Sequence, residues 1–542
     1  MNVFVVATIY AWLAHGLAFL LLPSSIPLSL RVRAIAVWFI AAPLLFFVRA
    51  PLSILTLVGA ILLMATPLAP RDRAAFFLAV VPAVPVFLYA PLPFPGINLL
   101  FEMTHLKIAA LVLLLPLLFT SREPLNRPPT FNIADFGVPA YIIYTATIVI
   151  FAAGATNGMR FAFDQFLLIA VIYFALRAKL RAIDDINAFF QAFLVASVIL
   201  ASIAMISTYK HWDYYGIGVN TFTDVRNGAI RVQATANPHS LGFHLAAALF
   251  VLEFLRYRAN IGWIKLNAVR AILLVGLMGT VSRGALGAFI VTGVVYLVIM
   301  IKGSIARSVT LYARCIGAVI GIVWFLRGDV AAVDAYGTFS YRQDLLWTSI
   351  GYIKMYPFWG DYFYLNSGYF NHLLQGQGIV DVTNIYLQFA LQYGLVGLAL
   401  MLFILIGPPV SLIIAIHSES LARDRKNPIL PRRTADVATS RSSSAERAES
   451  SESHDAWRRS SAVAASVSVG WLFLVSTTSD VALTLYLGLV FSSICRALID
   501  LRPSRTPVAA LQRQPARRAA SVYERASTVH RRIGDRLVQR RP

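Results

Sequence analysis

Three arginines occupy positions where a fixed positive charge could do chemistry. Arg231 opens the stretch Arg-Val-Gln-Ala-Thr-Ala-Asn-Pro-His-Ser-Leu-Gly that ends at Gly242, Arg283 lies in Ser-Arg-Gly between two apolar runs, and Arg342 begins an aromatic segment. Guanidinium groups bind phosphate oxygens bidentately and stay charged at any relevant pH. Clustered at a membrane surface, they would hold a diphosphate and stabilise its departure without a metal. We therefore predict that these three arginines are catalytic, although Arg231 could equally contact lipid headgroups and Arg283 could snorkel to the surface.

The aromatic-rich interval from Arg327 to Asn384 supplies further candidates. Ionisable groups interleaved with flat apolar rings suit a sugar, so we predict that substrate is bound by Asp344, Trp347, His372, Asp381 and Asn384. Leu346, Ile350 and Ile353 recur at helical spacing, which predicts an amphipathic helix on the membrane face that Pro357 ends. An interfacial helix without a catalytic role explains this stripe equally well.

Other residues in and next to the Arg231 stretch have simpler interpretations. Asn237-Pro238 is a turn signal, and Ser240 is a candidate cap for the next helix. His239 and His244 are interpreted as helix-end and packing residues, because no carboxylate neighbours them. Neither histidine is expected to bind a metal.

The composition is that of a membrane protein. Of 542 residues, 58% are hydrophobic and 13% are charged, against about a quarter charged in soluble proteins. The net charge of +21 is explained by membrane topology and anionic lipid, and no nucleic-acid partner is expected. Two cysteines cannot build a disulfide framework. No metal site and no cofactor are predicted.

The apolar runs predict an all-α polytopic membrane protein. Spans need about 20 mostly apolar residues, which gives about 13–15 transmembrane helices and a large extracytoplasmic loop with short amphipathic helices. Basic residues at alternate connections can all be cytoplasmic if the N-terminus starts outside. Residues 208–240 and 327–383 then form outer loops.

The chain divides by composition into five regions. They are N-terminal transmembrane helices over 1–207, a membrane core with both outer loops over 208–416, a disordered cytoplasmic linker over 417–460, C-terminal transmembrane helices over 461–497 and a basic cytoplasmic tail over 498–542.

The motifs in combination resemble the O-antigen polymerase and O-antigen ligase superfamily over roughly residues 205–415. The resemblance rests on the Arg231 stretch, Ser-Arg-Gly at 282–284, Arg342 to Gly360, and Asn-Ile-Tyr-Leu to Gly-Leu-Val-Gly over 384–397. It implies a multi-pass glycosyltransferase of the bacterial inner membrane that needs no metal. Its donor and acceptor would be undecaprenyl-diphosphate-linked glycans at the periplasmic face. Membrane lipids, a chain-length regulator and export proteins are possible partners.

One departure from the family pattern bears on the reaction. The pattern often places a histidine before the asparagine that ends the loop, where it is proposed as the general base of ligases. Here that position is Thr383, which cannot act as a base, while His372 and Asp381 are nearby substitutes. This favours a polymerase of repeat units over a ligase that transfers finished glycan. A transporter without catalysis is the third alternative, but its spans would usually carry more buried charges.

Overall fold

The computed structural model describes the larger part of the chain. The described residues are 3–48, 54, 58–62, 68–85, 88–94, 97–120, 133–210, 225–226, 229–234, 237–258, 261–300, 338–375, 378–426, 441–477 and 482–502. Three predicted regions lie outside them. They are the apolar run near 308–326, which is one of the runs that predict a span, the start of the second outer loop, and nearly all of the basic tail.

Helices make up almost all of the described structure. In chain order they are α1 (Val3–Leu21), α2 (Leu28–Pro43), α3 (Pro70–Val80), α4 (His105–Phe119), α5 (Ile133–Ala153), α6 (Ala155–Lys179), α7 (Ile183–Lys210), α8 (Pro238–Arg258), α9 (Trp263–Gly279), α10 (Arg283–Met300), α11 (Thr338–Met355), α12 (Ile385–Lys426), α13 (Arg441–Val475) and α14 (Ala482–Asp500). Residues 58–62 are also helical. A π-helical turn at Leu44–Val48 continues α2, and similar turns lie within α4 and α6.

The structure confirms an all-α polytopic membrane protein. Within the described residues, 8 helices are long and apolar enough to cross a membrane. The predicted total of about 13–15 spans covers the whole chain and stays a prediction. Of these helices, α7 is the most enclosed, with 89% of its apolar window buried. It packs against α1, α3, α8 and α9, as expected for a helix that is apolar on all sides.

Two short antiparallel pairs interrupt the helices. The strand Tyr89–Phe94 pairs with Ile97–Thr104, and Val225–Arg226 pairs with Ala229–Ile230. The apolar run over 74–91 is one of those from which the sequence predicts a span, but α3 ends at Val80 and a short 3₁₀ helix follows. Pro82 and Pro85 explain this difference, because proline cannot donate the backbone hydrogen bond that continues a helix.

Helices extend into both ends of the predicted disordered linker over 417–460, whose disorder stays a prediction for the remainder. Helix α12 continues to Lys426 and α13 begins at Arg441, so that 427–440 alone lies outside the described residues. Alanine, arginine and glutamate are good helix formers, which lets the packed membrane helices extend into this region. His454 of α13 lies 3.3 Å from Glu419 of α12, and the Trp457 indole donates to the Leu498 carbonyl at 2.8 Å. These contacts link α12 to α13 and α13 to α14.

A buried ionic cluster joins three helix ends. Asp135 in the first turn of α5 lies 2.8 Å from Arg177 of α6 and 3.6 Å from Arg496 of α14, and Tyr173 donates to it at 3.2 Å. The side chains of Asp135 and Arg496 have 0% exposure. Asp500 adds a 2.8 Å contact to Arg496. Each charge is therefore compensated, which burial of charge requires.

We expect Asp135→Ala to destabilise the fold strongly. The change leaves two buried guanidinium groups without their shared carboxylate, which costs about 3–5 kcal/mol in buried pairs. The matched control is Asp184→Ala, because Asp184 is 64% exposed and pairs with Arg258 at 2.7 Å. Such an exposed pair contributes about 0–1 kcal/mol. Thermal melting of the purified protein in detergent measures both, and equal melting temperatures would refute the role of the cluster.

Candidate functional site

A tight hairpin between α9 and α10 forms the centre of the candidate site. Only residues 280–282 separate the two helices, as the sequence predicted. Val281 has a φ of 48°, which is a strained conformation for a β-branched residue and costs about 1–3 kcal/mol. Ser282 and Arg283 follow directly after this residue.

The first turn of α10 is suited to an anion. The Ser282 hydroxyl oxygen accepts from the backbone N–H of Ala285 at 3.2 Å, so Ser282 caps the helix. The remaining N–H groups and the helix dipole favour negative charge at this end. Arg283 is exposed in this turn, and its guanidinium makes no hydrogen bond or ion pair within the described part of the chain. Its charge is therefore available to a ligand.

Arg231 approaches the same hairpin from the first outer loop. The backbone N–H of Val232 donates to the Gly279 carbonyl at 3.1 Å, and Arg231 Nε donates to the Thr280 carbonyl at 3.4 Å. Arg231 is 8% exposed. Two contacts from adjacent residues therefore hold the arginine against the turn that carries Ser282.

The start of α8 completes the packing around the hairpin. The Asn237 side chain accepts from the Ser240 N–H at 2.8 Å, so Asn237 and not Ser240 caps the helix. Pro238 follows at the first helical position, where its missing N–H costs nothing. A Cβ at Gly242 would lie 2.6 Å from the Ala285 Cβ, so this glycine lets α8 approach the hairpin closely.

His239 joins the two arginine stretches, and sequence reasoning missed this. Its Nδ1 lies 2.7 Å from the Ser282 hydroxyl, and its Nε2 lies 3.4 Å from the Arg231 guanidinium. A signal for it exists in the sequence, since His239 and Gly242 are three residues apart on one helix face. His244 is a packing residue as expected, stacked on Phe193 with ring centroids 4.3 Å apart.

The second outer loop has a small core of its own. Its members, which include Leu345, Tyr352, Tyr364 and Phe370, bury their side chains between α11 and the start of α12. Helix α11 ends before Pro357 as predicted, but Leu345, Ser349 and Tyr352 form its buried face, while Leu346 is exposed. Burial and a 2.5 Å hydrogen bond to Asp361 raise the pKa of Tyr352 to about 12, so the phenol stays a donor.

The predicted substrate-binding residues divide into exposed and structural ones. Asp344 and Trp347 are exposed on α11, and His372 is exposed with its Nε2 3.1 Å from the Thr348 hydroxyl. Asp381 is held through its backbone, whose N–H and carbonyl both bond the Tyr341 hydroxyl at 3.0 Å.

The end of the loop is organised by Asn384. Its side-chain oxygen accepts from the N–H groups of Tyr386 at 2.9 Å and Leu387 at 3.2 Å, so it caps α12. Thr383, directly before it, is half-buried. The observed role of Asn384 is therefore to start the helix that returns the chain to the membrane core.

The loop is fastened where α12 is interrupted at Gly394. This glycine has φ 66° and ψ −176°, and the interruption leaves backbone groups of α12 without helical partners. The Leu395 N–H donates to the Pro357 carbonyl at 2.8 Å, and the Asp361 N–H donates to the Leu391 carbonyl at 2.7 Å. Backbone groups of the loop therefore satisfy the interrupted helix.

Tyr144 of α5 reinforces this junction. Its hydroxyl oxygen lies 2.6 Å from the Phe358 carbonyl and 3.0 Å from the Tyr393 carbonyl. Its ring stacks on Trp359 with centroids 5.6 Å apart. One side chain from the N-terminal helices thus contacts both the loop and the interrupted helix.

The structure brings two of the three predicted catalytic arginines to one hairpin. Arg231 contacts the turn that Ser282 and Arg283 complete, and His239 bridges Arg231 to Ser282. Arg342 is exposed near the start of α11, and its convergence with the other two stays a prediction. Among the residues that the structure describes, no group of three or more His, Cys, Asp or Glu side chains could hold a metal ion.

One comparison with known families covers part of the candidate site. Residues 268–402 match the family model described as O-antigen ligase. The matched segment includes the hairpin with Arg283, the described part of the second loop and the Gly394 junction, and it confirms the resemblance to the O-antigen polymerase and ligase superfamily. No curated protein matches the chain. The match indicates a multi-pass membrane protein with a glycan-transferring function.

We expect Gly394→Ala to detach the second loop. An added Cβ would overlap the Phe358 carbonyl, in a backbone region that is essentially restricted to glycine. The matched control is Gly378→Ala, because Gly378 has a φ of 71° but nothing within 4 Å of the added Cβ. The control should cost about 1–2 kcal/mol, and Gly394→Ala clearly more. Melting temperature and limited proteolysis of the loop measure the difference, and equal effects would contradict the junction.

Proposed function

We propose that this protein, whose residues 268–402 match the O-antigen ligase model, polymerises undecaprenyl-diphosphate-linked oligosaccharide repeat units. The reaction would take place at the periplasmic face of the bacterial inner membrane and yield a surface polysaccharide or exopolysaccharide. The observation that carries the proposal is the contact of Arg231 and His239 with the hairpin of Arg283. Two cationic stretches that are separate in sequence meet at a helix start suited to phosphate.

In this proposal the hairpin binds the donor diphosphate. Arg283 supplies an exposed guanidinium, and the first turn of α10 supplies backbone N–H groups. Arg231 adds a second charge beside the turn, where its Nε donates to the Thr280 carbonyl. Charges fixed in advance stabilise the negative charge that develops on the leaving diphosphate, and they need no reorganisation during the reaction.

The transfer step forms one glycosidic bond and breaks one sugar–phosphate bond. A hydroxyl of the acceptor repeat unit attacks the anomeric carbon of the donor sugar. The bond to the diphosphate oxygen breaks, undecaprenyl diphosphate leaves with the electron pair, and the hydroxyl proton passes to water. The resemblance implies inversion at the anomeric carbon. Both substrates are held by lipid tails, so proximity supplies much of the rate.

The second loop is proposed to hold the sugars. Its exposed rings include Trp347 at 62%, Phe358 at 64% and Trp359 at 64% exposure. Asp344 and His372 lie exposed in the same loop and provide polar groups. Flat apolar faces beside a few polar groups suit a carbohydrate, and Arg342 would bind acceptor phosphate in this proposal.

Polymerisation is favoured over ligation by the end of the loop. Thr383 cannot act as a general base, and the Asn384 side chain caps α12. The alternative, in which finished glycan is transferred to another acceptor, expects a base at this place. A chain-length regulator, export proteins and the surrounding lipids are the proposed partners.

We expect Arg283→Ala to lower the rate of polymerisation by about 10²- to 10³-fold, the usual cost of removing one fixed group from a developing anion. Arg283→Lys should retain part of the rate, since lysine keeps the charge but loses the bidentate geometry. Arg160→Ala is the matched control, because Arg160 lies at the predicted outer start of α6 and contacts Asn157. Polymer length on gels and rates in proteoliposomes measure the effect. Full-length polymer from Arg283→Ala would exclude the proposed role.

Deletion of the gene distinguishes the rival activities. Loss of a polymerase should leave single repeat units on the lipid carrier, whereas loss of a ligase should leave long lipid-linked polymer. Analysis of the lipid-linked glycans measures this. Purified protein in liposomes that extends lipid-linked repeats unaided would exclude a transporter without catalysis.

A further inference from the structure

The contacts of His239 select one form of its imidazole ring. A guanidinium nitrogen only donates, so the 3.4 Å contact with Arg231 requires a lone pair on Nε2. The proton of the neutral ring then lies on Nδ1 and is donated to the Ser282 hydroxyl oxygen at 2.7 Å. That oxygen also accepts from the Ala285 N–H. A single neutral tautomer therefore satisfies all three contacts.

Contacts other than those of the His239 ring also hold the hairpin. The Val232–Gly279 backbone bond holds the first outer loop to the turn, and the Asn237 cap and Gly242 contact hold α8. His239 is half-buried, whereas Arg231 is 8% exposed. The ring thus helps to orient the guanidinium of Arg231, which is already buried among other residues.

The contact with His239 adds no negative charge to the surroundings of Arg231. Its acceptors at these two positions are a neutral imidazole and the Thr280 carbonyl, and neither neutralises a guanidinium. Ser282 links the same ring to the first turn of α10, where Arg283 begins the helix. His239 therefore fixes the direction of one cation relative to the helix start that bears the other.

We propose that His239 is a positioning residue that aims Arg231 at the diphosphate of a lipid-linked glycan. This inference rests on the proposed function for the identity of the ligand. It goes further by assigning diphosphate affinity to a side chain outside the matched region, through a bridge from Ser282 to Arg231. A role through Arg231 also predicts that the two residues are energetically coupled.

Two amide substitutions separate the contacts of the ring. The amide of Asn in His239→Asn occupies the position of Nδ1 and retains the Ser282 contact alone. The longer amide of Gln in His239→Gln occupies the position of Nε2 and retains an acceptor for Arg231. A hydrogen bond to a charged group is worth about 1.5–3 kcal/mol, which corresponds to roughly 10- to 100-fold in affinity.

The experiment measures binding of undecaprenyl diphosphate to the purified full-length protein in detergent. We expect His239→Asn to raise Kd about 10-fold or more, and His239→Gln to remain within a fewfold of the unchanged protein. In an Arg231→Ala background, His239→Asn should have no further effect. Equal Kd values for His239→Asn and the unchanged protein, equal losses in both amide variants, or additive losses with Arg231→Ala would each overturn the proposal.

A second measurement distinguishes this inference from the proposed function. Extension of lipid-linked repeats in proteoliposomes should show a raised KM for the donor in His239→Asn with a smaller change in kcat. If the unchanged protein binds undecaprenyl diphosphate but extends nothing, polymerisation is refuted, and the binding series still decides the role of His239. Melting temperatures within the variant series confirm that each protein is folded.

Discussion

The structure depends on one constraint, which is that backbone polar groups in a membrane core must find partners within the protein. Where α12 is interrupted at Gly394, loop residues provide these partners. The Pro357 carbonyl accepts from the Leu395 N–H, and the Asp361 N–H donates to the Leu391 carbonyl. At the turn between α9 and α10, the Val232 N–H provides one such partner by donating to the Gly279 carbonyl. Outer loops are thus tied to the helices by the hydrogen bonds that the interrupted helices need. A loop fastened in this way holds its side chains in a fixed place.

This attachment explains why small residues accompany the charged ones. Gly360 and Gly394 lie against each other's backbone, where a Cβ on either would overlap the other segment. Gly242 has the same role between α8 and the hairpin, beside Ala285. Close backbone approach brings the arginine stretches together, so the motif spacing in the sequence reflects packing as much as chemistry. A bulky residue at these points would move the cations without removing any of them.

The sequence correctly predicted those features that depend on a local pattern of residues. Hydropathy indicated the helical membrane fold, and short polar breaks indicated the hairpin at Arg283 and the end of α11 at Pro357. It failed where a contact depends on how distant elements approach. His239 meets Ser282 across 43 residues, and Tyr144 meets Phe358 across 214, so no local pattern marks either contact. For the 417–460 segment, the polar composition predicted disorder in spite of a good helix propensity. The structure nevertheless has helices at both ends of this segment, where they continue the membrane helices.

The geometry also changes where the chemistry is expected. The family pattern directs attention to the end of the second loop, yet Thr383 offers no base there and the Asn384 side chain caps α12. The imidazole of His239 and the guanidinium of Arg231 instead meet the start of α10 at the hairpin. This hairpin lies about a hundred residues earlier in the chain than Thr383. A diphosphate is a good leaving group, and its departure needs positive charge more than it needs a proton. In the proposed function, oriented cations and two substrates confined to the membrane surface would together supply the charge stabilisation and proximity that glycan transfer needs.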